Sequence, residues 1–208
     1  MTAIVDYRAG NLTSVKLAFE AIGVEATVTS DPRTVAAADR VVFPGVGAAK
    51  SAMRSLRELG LADAVREAAF SKPFLGICLG MQILFSHTEE DGGVDLLDVI
   101  PGKVRRFPDA EGFKIPQIGW NDVEPTAGSA ILGGRDAYYF VHSYYAEKCP
   151  FTAGATSYAG VEFTAAVERG SLFATQFHPE KSGRAGLDLL KRFVSADGAK
   201  QERTGQGK

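Results

Sequence analysis

Short apolar runs alternate with longer stretches in which apolar positions recur every three or four residues through the first half of the chain. The run Ala3-Ile4-Val5-Asp6-Tyr7 is β-rich and ends in a polar, glycine-containing turn. Leu12, Val15, Phe19 and Ile22 then fall on one face of a helix, and Gly23 stands where a left-handed residue ends it. Residues 24–30 alternate as a second strand, and Asp31-Pro32 opens a short helical piece. Residues 40–45 form a third strand. Helices are predicted over 48–59 and 61–70, the second with Ala64, Val65 and Ala68 on one face. Residues 73–77 give a fourth strand, with a helix predicted over 79–85. Strand, helix, strand, helix in this order implies parallel strands joined by right-handed crossovers, an α/β sheet flanked by helices.

From about Gly92 the pattern changes to short β-rich segments separated by Gly, Pro or Asp. KVRRF, QIGWNDV, YYFVHSYY, TAGATSY and EFTAAVERG predict antiparallel strands added to that sheet. SLFATQF predicts one more strand, and 185–194 a closing helix with Leu187, Leu190 and Val194 on one face. Residues 196–208 form a polar, glycine-containing tail expected to be disordered. No linker or repeat splits the chain, so 1–195 is expected to be one domain.

Composition narrows the class. A chain of 208 residues with 45% hydrophobic and 23% charged positions is that of an ordinary globular domain. A net charge of −2 gives no footprint for nucleic acid or an anionic membrane. No apolar stretch approaches the roughly 20 residues that span a bilayer, and the N-terminus reads as a strand rather than a signal peptide. Two cysteines, Cys78 and Cys149, make no disulfide framework, and a reducing, cytoplasmic location is expected.

Ligand chemistry in such sheets gathers at the carboxyl ends of the strands, where DYRAGN, PGVG and GICLG all lie. In Gly76-Ile77-Cys78-Leu79-Gly80 a cysteine sits at a strand-to-helix turn between two glycines. Such a turn exposes a nucleophile and aims helix N–H groups at the reacting centre. On this pentapeptide alone, a small buried cysteine is an equal reading. His178 and Glu180 in QFHPEKS tip the balance. His178 ends a predicted strand and can serve as base and then acid, and Glu180 can orient its ring. The turn Pro44-Gly45-Val46-Gly47 lacks a following Gly-Lys-Ser/Thr, so a phosphate loop is disfavoured and its N–H groups suit an oxyanion. His142 is expected to be a satisfied core or interface residue and His87 to cap a helix end. KVRRF is expected to be a solvated strand face. No metal-ligand spacing involves Cys149, and no metal or cofactor is expected.

With these motifs the sequence resembles the triad (class I) glutamine amidotransferases, and within them the glutaminase subunits that serve imidazole glycerol phosphate synthases. DYRAGNLTSV, PGVG, GICLGMQ, IGWN, YFVHSY and QFHPEKS stand in that family's order, from Ile4 to about Val194. PGVG is the sharpest discriminator, since most other amidotransferases of this class carry a PGGP-like turn there. The resemblance implies a catalytic triad of Cys78, His178 and Glu180 that hydrolyses glutamine through a thioester. It implies an oxyanion hole from the Leu79 N–H and a peptide in Val46-Gly47 that flips to switch the enzyme on. Gly47, Gln82, Ser143 and Tyr144 match glutamine-binding positions. Asn11, Trp120, Tyr138 and Lys181 match positions at or near the interface with a (β/α)8-barrel cyclase subunit that receives the ammonia. The plain structural roles of these interface residues are a helix N-cap for Asn11, core or half-buried aromatics for Trp120 and Tyr138, and a solvated Lys181.

Two departures stand out. Arg8 replaces a glycine usual in that family, and Gln117-Ile118 replace a His-Met before Gly119-Trp120. Rival readings are an amidotransferase with another synthase partner, a cysteine hydrolase with the same elbow, and a non-catalytic binding module.

Overall fold

In the computed structural model, residues 1–204 are described, with side chains described through Ala196. The first half holds β1 (Thr2–Val5), α1 (Leu12–Ala21), β2 (Ala26–Thr29), α2 (Pro32–Ala37), β3 (Arg40–Gly45), α3 (Ala49–Glu58), α4 (Leu61–Ser71), β4 (Phe74–Cys78) and α5 (Leu79–Gln82). There follow β5 (Phe85–Thr88), β6 (Val94–Asp95), β7 (Ile100–Arg106), β8 (Gln117–Pro125), β9 (Asp136–His142), β10 (Tyr144–Ala146), β11 (Thr152–Tyr158), β12 (Val161–Arg169), β13 (Leu172–Thr175) and α6 (Gly183–Thr204).

The sheet runs β2-β1-β3-β4-β13 with every neighbour parallel, then continues through β12, β10, β7, β5 and β6. Only the β7–β5 pairing in that continuation is parallel. β11, β8 and β9 branch off β12 as an antiparallel extension. The expected α/β architecture, a parallel sheet flanked by helices with antiparallel additions, is the one observed. β1, β3 and β4 are buried on both faces, which is why they read as unbroken apolar runs rather than alternating ones. Asp31 caps α2 by accepting the Arg33 N–H at 3.0 Å, with Pro32 at the first helical position.

The parallel half positions the chemistry. Gly45 pairs with Cys78, and Ile77 with Thr175, so the ends of β3, β4 and β13 lie side by side. Close approach at this edge demands glycine. A Cβ on Gly80 would stand 1.8 Å from the Phe43 carbonyl oxygen, and one on Gly45 would stand 2.4 Å from the Tyr7 hydroxyl oxygen.

Several expectations are corrected. The helix after Cys78 stops at Gln82, and Phe85–Thr88 is a strand paired with β7. Residues 79–85 are all buried, so their apolar spacing could not separate a helix from a turn and strand. His87 therefore lies in a strand, with Nδ1 3.0 Å from Asp95, and caps no helix. YYFVHSYY breaks at Ser143, whose carbonyl accepts the Phe107 N–H at 3.0 Å. Asn11 occupies the N-cap position of α1, but its side chain makes no capping bond. KVRRF, by contrast, is the solvated strand face expected, with Arg105 and Arg106 paired with Glu89, Glu147 and Asp109. The closing helix, expected to end at 194, continues to Thr204, and 205–208 lie outside the described residues. Among the described residues no helix is long and apolar enough to cross a membrane.

Candidate active site

Cys78 ends β4 with φ 55° and ψ −112°, a left-handed backbone that a non-glycine residue adopts only under constraint. The constraint is the packing of Gly80 under β3 and of Gly76 against α5 and β13. A Cβ on Gly76 would lie 3.0 Å from the Gly80 oxygen and 3.2 Å from the Ala174 Cβ. The two glycines of GICLG thus fold the elbow that turns the thiol to the carboxyl edge. Leu79 and Gly80 open α5, where the first N–H groups have no intrahelical acceptor.

His178 follows β13 and is 2% exposed. Its Nδ1 lies 2.8 Å from Glu180 Oε1, on a short 3₁₀ turn over Pro179–Lys181. A carboxylate only accepts, so Nδ1 carries the proton and Nε2 is left to take one. Nε2 has no hydrogen-bond partner of good geometry at rest. Burial opposes charging the imidazole, yet the Cys78 sulfur, as a thiolate, and the Glu180 carboxylate outweigh it and push its pKa up to about 10. The ring is thereby suited to hold the proton that the thiol gives up.

Cys78, His178, Val46, Gly47, Leu79, Gln82, Ser143, Tyr144 and Lys181 line one cleft of about 430 Å³. All the residues expected for catalysis, oxyanion and substrate line it except Glu180, whose side chain is 1% exposed behind His178. A wider groove of about 610 Å³ between α3 and residues 91–95 contains no thiol or histidine, so the smaller cleft is the candidate site. Gly47 holds φ 91°, and a Cβ there would meet nothing within 4 Å. Gln82 donates through Nε2 to the Tyr144 carbonyl at 2.8 Å and to Gln176 Oε1 at 2.9 Å, leaving its own oxygen to accept.

Glu90 was not among the expected site residues. It reaches the cleft from a 3₁₀ turn and accepts the Ala49 N–H at 2.6 Å. Burial raises its pKa, the Ala49 bond opposes that rise, and Asp91 adds to it. Nothing in the run Glu89-Glu90-Asp91 separates it from its solvated neighbours. His142 also lines the cleft; burial lowers its pKa to about 4, against the pull of its bond to the Tyr144 carbonyl. Among the described residues, no group of three or more His, Cys, Asp or Glu side chains could hold a metal ion.

The four expected interface residues separate. Trp120 is 59% exposed, and Lys181 lies 5.9 Å above the Tyr139 ring. Tyr138 instead points inward, 2% exposed and stacked on Phe177 at 4.1 Å. It does not reach the surface. Along β9 the side chains alternate, so its neighbour Tyr139 faces outward, directly opposite Trp120. Arg8 holds φ 69°, a left-handed turn that glycine would adopt without strain, and pairs with Glu58 at 3.2 Å.

If the Nδ1–Glu180 bond sets the tautomer, Glu180→Gln will cut turnover at the Cys78 thiol by about 10²–10⁴-fold. The raised pKa also makes charged His178 stabilising. That stabilisation is complete below about pH 6.5 and is lost as pH rises through about 10. Denaturant titrations at pH 7 and pH 10.5 should therefore show a larger loss in the parent protein than in Glu180→Gln.

Residues 3–196 match the family model described as glutamine amidotransferase class-I. The imidazole glycerol phosphate synthase subunit HisH of Methanothermobacter thermautotrophicus is 52% identical over 197 residues, covering 93% of this chain and 98% of that one. The protein of the same name from Pseudomonas putida is 47% identical, covering 94% and 97%. Among solved structures, a glutamine amidotransferase superposes with a TM-score of 0.73 at 21% identity, over 94% of this chain and 98% of the other. PurLQS from Thermotoga maritima gives 0.71 at 17% identity, over 94% and 97%. These two likenesses concern the fold.

Proposed function

From the premise that this chain belongs to the class I glutamine amidotransferases, we propose that it is the glutaminase subunit of an imidazole glycerol phosphate synthase, acting in histidine biosynthesis. What carries the reading is the strained Cys78 elbow in one cleft with a His178 ring already oriented by Glu180.

The thiol proton passes to His178 Nε2, and the sulfur attacks the side-chain amide carbon of glutamine. The oxyanion is held by the Leu79 N–H and by the Val46–Gly47 peptide, which turns over to present its N–H. The open surroundings and positive φ of Gly47 favour such a turn. His178 then protonates the leaving amine, ammonia departs, and a glutamyl thioester remains. Water, deprotonated by the same nitrogen, releases glutamate and restores the thiol. Glu90 at the cleft suits the α-ammonium of the substrate, and Gln82, Ser143 and Tyr144 supply polar contacts around it.

The ammonia is delivered to a cyclase subunit of (β/α)8-barrel form, which makes imidazole glycerol phosphate and an aminoimidazole carboxamide ribotide. The partner docks over Asn11, Trp120, Tyr139 and Lys181, and the pair works in the cytoplasm without a cofactor. Glutamate formation, measured with and without the cyclase and its nucleotide ligand, tests the assignment. Turnover that is strongly stimulated by the pair supports it, and equal rates for the isolated chain and the pair refute partner activation. Replacing exposed aromatics at the centre of an interface costs about 2 kcal/mol or more, so Trp120→Ala and Tyr139→Ala should each weaken partner binding about 30-fold. Tyr138→Phe should leave the partner's dissociation constant unchanged, as titration calorimetry can establish.

A further inference from the structure

A chain of buried amides runs behind the thiol, and its donor and acceptor roles follow from one atom. The Tyr144 carbonyl can only accept, and it receives His142 Nδ1 at 2.7 Å and Gln82 Nε2 at 2.8 Å. With its NH₂ turned inward, Gln82 gives its second hydrogen to Gln176 Oε1 at 2.9 Å. That bond leaves Gln176 one orientation, with its own NH₂ toward Cys78 and Nε2 3.8 Å from Sγ. Gln176 is 0% exposed, and Gln82 and His142 are each 6% exposed, so water does not compete for these groups.

We infer that Gln176 is a further catalytic residue, donating an N–H to the Cys78 sulfur and favouring the thiolate over the thiol. The inference rests on the reading of Cys78 as nucleophile. The neutral thiol has another partner, since Sγ donates to the Val141 carbonyl at 3.9 Å. Once ionised, the sulfur cannot donate to that oxygen, and a charged acceptor strengthens the bond from Gln176. Several titratable groups surround the sulfur: His178 from the turn after β13 with Glu180 behind it, Tyr7 from the end of β1, His142 from β9 beyond His178, and Glu90, Tyr144 and Lys181 from the walls of the cleft. His178 is the cation beside the sulfur, while the Lys181 ammonium lies over the Tyr139 ring, so the buried Gln176 adds a separate, neutral donor fixed next to the sulfur.

The test is alkylation of Cys78 by iodoacetamide across pH in the full-length chain, with Cys149→Ser so that one thiol reports. Gln176→Met keeps length and apolar volume but removes the donor. It is expected to slow alkylation about tenfold at pH 7, with the two proteins converging at alkaline pH, where the sulfur is ionised in both. Gln82→Met keeps Gln176 but frees its orientation, and should give a smaller loss of the same sign. Conservation of the parent profile in either variant, or a slowing that persists unchanged at alkaline pH, overturns the inference. The assay contains neither glutamine nor partner, so its failure leaves the glutaminase reading standing. Loss of that reading, in turn, would show as absent turnover with an altered alkylation profile still in place.

Discussion

Cys78→Ala is expected to lower glutamine hydrolysis by about 10⁴-fold or more, with the fold retained. The thiol is the nucleophile that the elbow presents to the cleft, and the His178 Nε2 beside it is free to take its proton. Residues acting as a unit fail together, so adding Glu180→Gln to Cys78→Ala should cost little more. Structure should survive because alanine removes only the sulfur from a position whose backbone is held by Gly76 and Gly80. Glutamate release measured alongside thermal unfolding separates the two effects. Cys149→Ser serves as the control. Cys149 takes the Thr152 hydroxyl at 3.8 Å and is absent from the cleft, so turnover should be unchanged.

Gly80→Ala is expected to destabilise the protein by roughly 3–5 kcal/mol and to abolish activity in whatever folded fraction remains. The new methyl group would stand 1.8 Å from the Phe43 carbonyl oxygen and 2.9 Å from its carbon. Those are backbone atoms of a strand paired on both sides, so they cannot give as a side-chain tip would. The strain can be relieved only by moving α5 off β3, and α5 carries the Leu79 N–H and Gln82. A loss of this size is a large part of the 5–15 kcal/mol that holds a domain folded. Gly128→Ala is the informative contrast. Gly128 also has positive φ, 86°, but a Cβ there meets nothing within 4 Å, so about 1–2 kcal/mol of backbone strain is its whole effect. Chemical denaturation of the two variants distinguishes steric exclusion from conformational preference.

Those contrasts bear on what could be read from the residues alone. The parallel half of the fold was legible because its strands are buried on both faces and its helices carry apolar stripes. PGVG, GICLG and QFHPEKS could be placed at strand ends for the same reason, and β3, β4 and β13 do bring them together. Periodicity failed where burial is complete, as in residues 79–85, where even Gln82 is buried and no polar face marks the conformation. The pair Tyr138-Tyr139 is a different case, two identical side chains that alternate across a strand. Only the register against Trp120 tells which one faces outward. Glu90 and Gln176 were illegible for another reason. Each enters the site through contacts 41 or 94 residues away along the chain, with Ala49 and Gln82, so even Gln176, which opens QFHPEKS, shows no role of its own in the sequence.

Covalent labelling by a glutamine-like electrophile, a diazo-oxo-norleucine, tests the central claim most directly, because it reads nucleophile, cleft and substrate class at once. The account predicts one label per chain on the peptide that carries Cys78, suppressed by glutamine and absent from Cys78→Ala. Labelling of Cys149 instead, or labelling of Cys78 that glutamine does not slow, would contradict it.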